Sequence, residues 1–505
     1  AHITNNDHTA SELAKINDAT SGEIIIANKA RTISDSGSVL KRALDGISYN
    51  GNVTVTGTDY TTAELKAINA STSEKITLDD KTVKISGTAA DLKDALYGDG
   101  TLKNTIDGFT GNIDITDAAG DLSAADIEII ADKTTQKPVI TKAPTIKGNS
   151  AAIVTVLGKI TPTGNPNIKL DDAHDLTQLQ TINNATAGSI SFKDNGVKLS
   201  GSTASVSEAL AGVTGYTGEV ELTDAAGDLS ATVIEAIADS TDKKPVIKKA
   251  PTIKGNVQDV VDVLAKITNT GNANIKLDDA HDLSKLKTIN DATTGIITLK
   301  EFVDLTGTTS DIKAALKGFT NYKATIKIDD PTSAKIDATD LTEIANAAHA
   351  DTKPVLNKQF TVKGNTSDVV TALGKVTNTA NANIKLLDHH NTLQLKAIND
   401  ATTGAIQLNS ISRPLEGTVD EIIAALDGFN DGTYNGTVKL TDVHDLDKLK
   451  TINNSTDGKI TFKDASLKLS GKAADLAAAL NKVSDYTGEI DITDLNYNPL
   501  EIGKG

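Results

Sequence analysis

Apolar residues in this chain come in short, regular beats. In residues 167–184, NIKLDDAHDLTQLQTINN, Ile168 and Leu170 alternate with polar neighbours, and Leu176, Leu179 and Ile182 then recur at helical spacing. The first beat places its side chains on one face of a short strand, and the second on one face of a helix. The Asp-rich stretch between them reads as a turn. The same series returns at 274–290 as NIKLDDAHDLSKLKTIN, more loosely at 383–399 as NIKLLDHHNTLQLKAIN, and at 437–454 as TVKLTDVHDLDKLKTINN. One strand–turn–helix circuit, called a coil below, has been copied along the chain.

Two periods organise the copies. The long one is exact in places: KPVI at 137–140 recurs at 244–247, and TDAAGDL at 116–122 recurs at 223–229, both shifted by 107 residues. The short one is about 25 to 28 residues, one coil. Four kinds of coil are distinguishable: the DAHDL coil, a coil with a split strand before its helix (189–211), the DAAGDL coil (111–132 and 218–239), and a KPV–TIKGN coil (138–160 and 245–267). The N-terminal part follows the same rule, with helices expected at 10–17, 39–47 and 61–69 and strands at 23–27 and 52–56. A last strand is expected at 488–493, and the whole makes roughly 19 coils. The segments are then 1–110, N-terminal repeats; 111–217 and 218–326, two long repeats; 327–435, a diverged third; and 436–505, C-terminal repeats with the final strand. Residues 97–109 read as an extra helical turn, and 329–337, with Asp330–Pro331, as an irregularity.

Neither a strand of four residues nor a helix of two or three turns is stable alone. Stacked coils bury both, with strands joining into a continuous parallel sheet and helices lying in a row against it. The strands alternate apolar and polar positions, so one face of the sheet is buried and one is wet. A sheet covered on both faces would carry unbroken apolar runs. The expected fold is an elongated α/β repeat solenoid of strand–turn–helix units, with a parallel sheet on one side and helices on the other. Helix starts carry caps: Thr88 with Asp91 and Thr308 with Asp311 have capping-box spacing, with Asp in place of Glu. Asn69, Asn183, Asn290, Asn399, Asn453, Gly108, Gly212, Gly318 and Gly428 are read as helix ends.

Composition agrees with thin, repeated layers. There is no Cys, Met or Trp among 505 residues, and aromatics are 3%. Disulfides and thiol chemistry are thereby excluded. A net charge of −17 argues against nucleic acid and anionic membranes as partners. No apolar run is long enough to span a membrane. Beginning at Ala1 without a Met or an apolar leader, the sequence is expected to be a processed chain or a fragment.

Candidate chemistry is confined to the strand–helix turns. Asp171, Asp172 and Asp175, repeated as Asp278, Asp279 and Asp282, form a carboxylate cluster that recurs along the stack; Asp117, Asp121, Asp224, Asp228, Asp442 and Asp445 are similar. Carboxylates stacked with backbone carbonyls would bind calcium. The plainer reading makes Asp175, Asp282 and Asp445 helix caps and their neighbours solvated turn residues. Neither an EF-hand nor a glycine-rich calcium nonapeptide occurs, and calcium is the one cofactor that the sequence suggests. His174, His281 and His444, with His389 and His390, hold one place in the repeat. They lie too far apart along the stack to share a metal, and are read as turn histidines bonded to backbone or a nearby Asp. No nucleophile elbow, metal-protease motif or phosphate loop is present. The aromatics Tyr216, Phe319, Tyr322, Phe429, Tyr434 and Tyr486 mostly follow helices, where packing between layers is the simpler role.

Runs such as VKISGTAADL (83–92) and LKLSGKAADL (467–476) resemble the strand–helix repeats of large secreted bacterial surface proteins, including S-layer-like proteins and RTX-type adhesins. The resemblance implies an extracellular structural or adhesive role at the cell surface. The absence of calcium nonapeptides departs from the RTX pattern. The function expected is that of a non-enzymatic rod that self-associates into a surface layer, filament or appendage. The alternatives are an adhesin or carbohydrate-binding solenoid with a surface glycan as partner, and a polysaccharide-active enzyme using acidic residues near Asp329–Asp330–Pro331.

Overall fold

The structure is a computed structural model and describes residues 1–4, 7–98, 106–427 and 434–494. It is α/β, a solenoid of strand–helix coils. Among the described residues 18 helices alternate with short strands, and every described strand pairing is parallel, for example Ile146 opposite Ile168 and Val362 opposite Ile384. The chain forms two compact units, residues 1–253 with 262–273, and residues 254–261 with 274 onward.

In the first unit the strand Asn167–Leu170 shows the rule that builds each layer. Ile168 and Leu170 are buried and Lys169 is exposed. The helix Leu176–Ala185 that follows buries Leu179 and Ile182 against the strands. Each such leucine removed from water contributes about 1.5–3 kcal/mol, and because neighbouring coils supply the covering surface, no coil keeps that gain alone. Stacking of these inward rows gives a core running from Ile3 to Ile182. The second unit builds its core from Leu286 to Ala479 in the same way, with Val362, Ile384 and Leu395 in its middle coils.

The strands do not form the continuous sheet expected from the sequence; they form separate ladders of two to four. The split-strand coils are one reason. Ile190–Ser191 pairs back onto Ile168–Lys169, whereas Leu199–Gly201 in the same coil pairs forward onto Val220–Leu222. The seven residues between the two halves take the chain out of one ladder and into the next. In the second unit Ile297–Thr298 and Leu305–Gly307 divide in the same way, as do Ile406–Gln407 and Leu415–Gly417.

Coils approach most closely at the turn entering a strand. A side chain at Gly164 would lie 2.0 Å from the Lys142 carbonyl oxygen, and one at Gly271 2.0 Å from that of Lys249. Only glycine fits there.

Helix boundaries differ from expectation for local reasons. The helix expected at 39–47 is Gly37–Leu44 and ends where Gly46 takes φ of 65°. Glu12, Glu64 and Glu421 complete true capping boxes. Asp91 and Asp311 do not: Thr88 and Thr308 accept from their N–H groups, but the carboxylates turn to Lys66 and Lys287 instead. Asp is one methylene too short to reach back to the cap N–H. Gly212 and Gly318 follow helices with φ of 71° and 83°, as expected of helix ends. Gly428 and most of 97–109 lie outside the described residues.

Candidate functional site

The Asp-rich turns are the most repeated polar feature, and their geometry makes them fastenings between coils. Asp175, Asp282 and Asp445 cap their own helices, each accepting the N–H three residues on at 2.8 Å. Asp172 reaches back to the preceding coil and accepts the N–H of Ser150, the first residue of that coil's helix, at 2.7 Å. Asp279 does the same for Val257 at 2.7 Å. Asp117, Asp224, Asp330, Asp388, Asp442 and Asp494 bond the first N–H of six further helices at 2.6–2.8 Å. The helices beginning at Ser150 and Thr203 thus receive one acceptor from their own cap and a second, negatively charged, from the next coil, where the helix dipole favours it. Asp171 and Asp278 lie 3.9 Å from Lys147 and Lys254.

The six carboxylates proposed for calcium are thus distributed over different tasks. Among the described residues no group of three or more His, Asp or Glu side chains is gathered as a metal would need. Asp117, Asp224 and Asp442 cap in the same way as Asp172.

The asparagines expected to end their own helices do something else. Asn183 sits in the last turn of Leu176–Ala185, and its side-chain N–H groups donate to the carbonyls of Glu208 at 2.7 Å and Ala211 at 2.8 Å, at the end of the following helix. Asn69, Asn290, Asn399 and Asn453 repeat this toward Ala95, Ala315, Ala425 and Ala479. Asp reaches backward to a helix start, and Asn forward to a helix end.

His174, His281, His390 and His444 are buried and His389 is exposed; the first three close on tyrosine hydroxyls in place of the backbone or Asp expected. His174 Nε2 lies 2.9 Å from the Tyr216 hydroxyl, and His281 Nε2 2.9 Å from that of Tyr322. His390 and Tyr434 are 3.3 Å apart. Each tyrosine hydroxyl donates its one proton to a backbone carbonyl, Val197 at 2.7 Å, Val303 at 2.6 Å and Arg413 respectively. A carbonyl only accepts, so each histidine must donate from Nε2, which leaves Nδ1 as a bare, buried lone pair without a hydrogen-bond partner. His444 stacks on Phe462 at 4.4 Å with Tyr486 edge-on. Burial pulls His174 and His281 below the ordinary imidazole range, against the pull of Asp194, Asp172 and Asp175 on the first and Asp282 and Asp279 on the second. Burial, with Arg413 and His389, brings His390 down to about 4, against Asp388. The buried positions of Tyr216, Tyr322 and Tyr434 fit the packing role read from the sequence; Phe429 lies outside the described residues.

Sequence reasoning passed over a set of buried threonines. Thr186, Thr402 and Thr456 donate to the preceding coil at Pro166, Ala382 and Tyr434 (2.8, 2.7 and 2.6 Å) and accept from Gly188, Gly404 and Gly458. The signal was the recurrent Thr-x-Gly after a helix.

The irregularity near Asp330 holds no free carboxylate pair. Asp330 is buried and bonded to the N–H and hydroxyl of Thr309 at 2.8 and 2.5 Å. Asp329 is paired with Lys358 at 2.8 Å. A groove of about 760 Å³ beside them is lined by Lys313, Asp340 and Glu343, and Lys313 pairs with both carboxylates. Replacing Asp330 with alanine is expected to cost about 2 kcal/mol, because a buried helix N–H and the Thr309 hydroxyl lose their acceptor. A thermal melt of the variant beside Asp329→Ala, expected to change stability by less than about 0.5 kcal/mol, checks this.

No family model matches the chain, and no curated protein matches it. Among solved structures it is similar to the crystal structure of the Rad7 and Elc1 complex in yeast, at 11% identity over 94% of this chain and 88% of that one, with a TM-score of 0.14. A likeness at that score carries no argument about fold or function.

Proposed function

We propose that this protein is a non-enzymatic structural repeat protein of the cell exterior, which self-associates into a surface layer, filament or appendage. One observation carries the reading: the recurrent polar residues that resembled sites are used up in joining coil to coil. Asp172 and its equivalents cap the preceding helix, Asn183 and its equivalents cap the following one, and the histidines close on buried tyrosines. A chain that invests its carboxylates, amides and imidazoles in its own stacking gains rigidity and length, which are the assets of a scaffold. The resemblance of its strand–helix runs to secreted surface repeats supports the location. The net charge of −17 favours divalent cations as bridges between copies.

Sedimentation velocity and negative-stain electron microscopy of the purified chain, with about 5 mM calcium (above the weakest extracellular calcium sites) and then with chelator, test this. Filaments or sheets are the expected result, with the chelator arm showing whether a cation is needed. A chain that stays monomeric at high concentration in both arms overturns the reading.

A further inference from the structure

In three of the split-strand coils each described strand pairs on one side only. Ile190–Ser191 closes the ladder behind it and Leu199–Gly201 opens the ladder ahead. Backbone bonds join such a coil to both neighbours, but through different halves, so the row of strand pairings is interrupted inside the coil. Two other features accompany the interruption in these three coils. On the helix side, a helix of 10 residues, Leu176–Ala185, is followed by one of 8, Thr203–Leu210, and Asn183 ties the two ends together. On the strand side, His174, which leaves the outgoing ladder, closes on Tyr216, which enters the incoming one, and Tyr216 also bonds Val197 at the start of the incoming strand. Phe192 fills the corner, 5.0 Å from His174 and 5.7 Å from Tyr216.

The set recurs in the second unit. Ile297–Thr298 and Leu305–Gly307 are spanned by His281 and Tyr322, with Asn290 on the helix side. Ile406–Gln407 and Leu415–Gly417 are spanned by His390 and Tyr434, with Asn399 on the helix side. A break in the ladder with the same two fastenings in three coils is a built feature.

From this we infer that these three split-strand coils are joints: places where the stack opens locally on its strand side, turning about the Asn-fastened helix ends and held shut by the His–Tyr clasp. Cooperative units of a protein open at the boundary where the fewest backbone hydrogen bonds must break. Here the boundary is drawn by the ladders themselves. The joints would let a long array bend or yield in steps while the paired ladders between them stay whole.

Amide hydrogen exchange of the full chain at neutral pH, read by mass spectrometry, tests the inference. Residues 192–201, 299–307 and 408–417 should exchange faster than paired strands such as Asn167–Leu170 and Asn383–Leu386, while the flanking helices remain protected. Tyr216→Phe removes the clasp hydroxyl and keeps the ring. It should speed exchange at 192–201 by about 10-fold, the size set by one buried hydrogen bond, and leave 299–307 and 408–417 unchanged. Tyr322→Phe should move the effect to 299–307, which keeps the test open should the first variant fold poorly. Equal protection at joints and paired strands overturns the inference. So does an effect of either variant that is spread evenly over the chain or absent.

Discussion

Gly164→Ala is expected to destabilise the stack by about 3 kcal/mol, and Gly271→Ala by a similar amount. The added methyl at residue 164 would meet the oxygen, carbon and nitrogen of Lys142 at 2.0, 2.4 and 2.5 Å. All three are backbone atoms of the preceding coil, so no side chain can swing away, and relief requires two coils to part. Parting them stretches the bond from the Gly164 N–H to the Ile140 carbonyl and the bridge from Val139 to Thr161. The control is Gly158→Ala in the exposed face of the helix Ser150–Lys159, where nothing lies within 4 Å of the new methyl. There alanine relieves an entropic cost and should stabilise by about 0.5–1 kcal/mol. Chemical denaturation of the two variants side by side should therefore give shifts of opposite sign. Equal shifts would mean that the turns do not approach as described.

The second large effect is a loss of stability in mild acid. An unfolded histidine titrates near 6.5, whereas His390 in its pocket titrates at about 4 and His174 and His281 are also lowered. The folded chain therefore binds fewer protons than the unfolded chain in this window. The contribution is fully present above about pH 6.5 and is lost as pH falls toward 4, with His390 alone worth on the order of 3 kcal/mol. The structural cause is visible: a second ring proton would sit on Nδ1, where the buried site offers no acceptor. The carboxylates respond later. Burial works against Asp388, but the Thr366 N–H and hydroxyl hold its carboxyl below the usual range. Denaturation midpoints measured from pH 7 to 4.5 should fall for the parent chain and fall less steeply for His390→Gln. A parallel fall in both would assign the acid response to other groups.

The short coil and the long period were both legible in the sequence, because each coil repeats the same inward residues. Ile168, Leu170, Leu179 and Ile182 are apolar wherever the coil recurs, and burial confirms them. What lay hidden is which coil each polar residue serves. Asn183 looks like the end of its own helix because Asn often is, yet the acceptors it finds are the last carbonyls of the next helix. Asp172 looks like a loop carboxylate, or a calcium ligand, because its partner, the Ser150 N–H, is distant in sequence. Propensity describes a residue's own turn; a stacked chain hands its polar groups to the neighbouring layer. The interrupted ladders were half visible. The split strand at 189–201 was read as one strand with a gap, and only pairing reveals that its halves face opposite neighbours.

The backward-reaching Asp has a consequence for how such a chain can lengthen. Asp172 serves the helix Ser150–Lys159, Asp224 the helix Thr203–Leu210, and Asp279 the helix beginning at Val257, whereas the helices between them, Leu176–Ala185 and Ala231–Asp239, receive none. The grammar is binary: a coil that asks for a carboxylate is followed by one that supplies it. Inserting or deleting a single coil would set two askers or two suppliers side by side, and leave either an orphaned helix start or an unneutralised charge against one. Duplications that survive should therefore come in even numbers of coils, so that the gene for such an array grows by couplets.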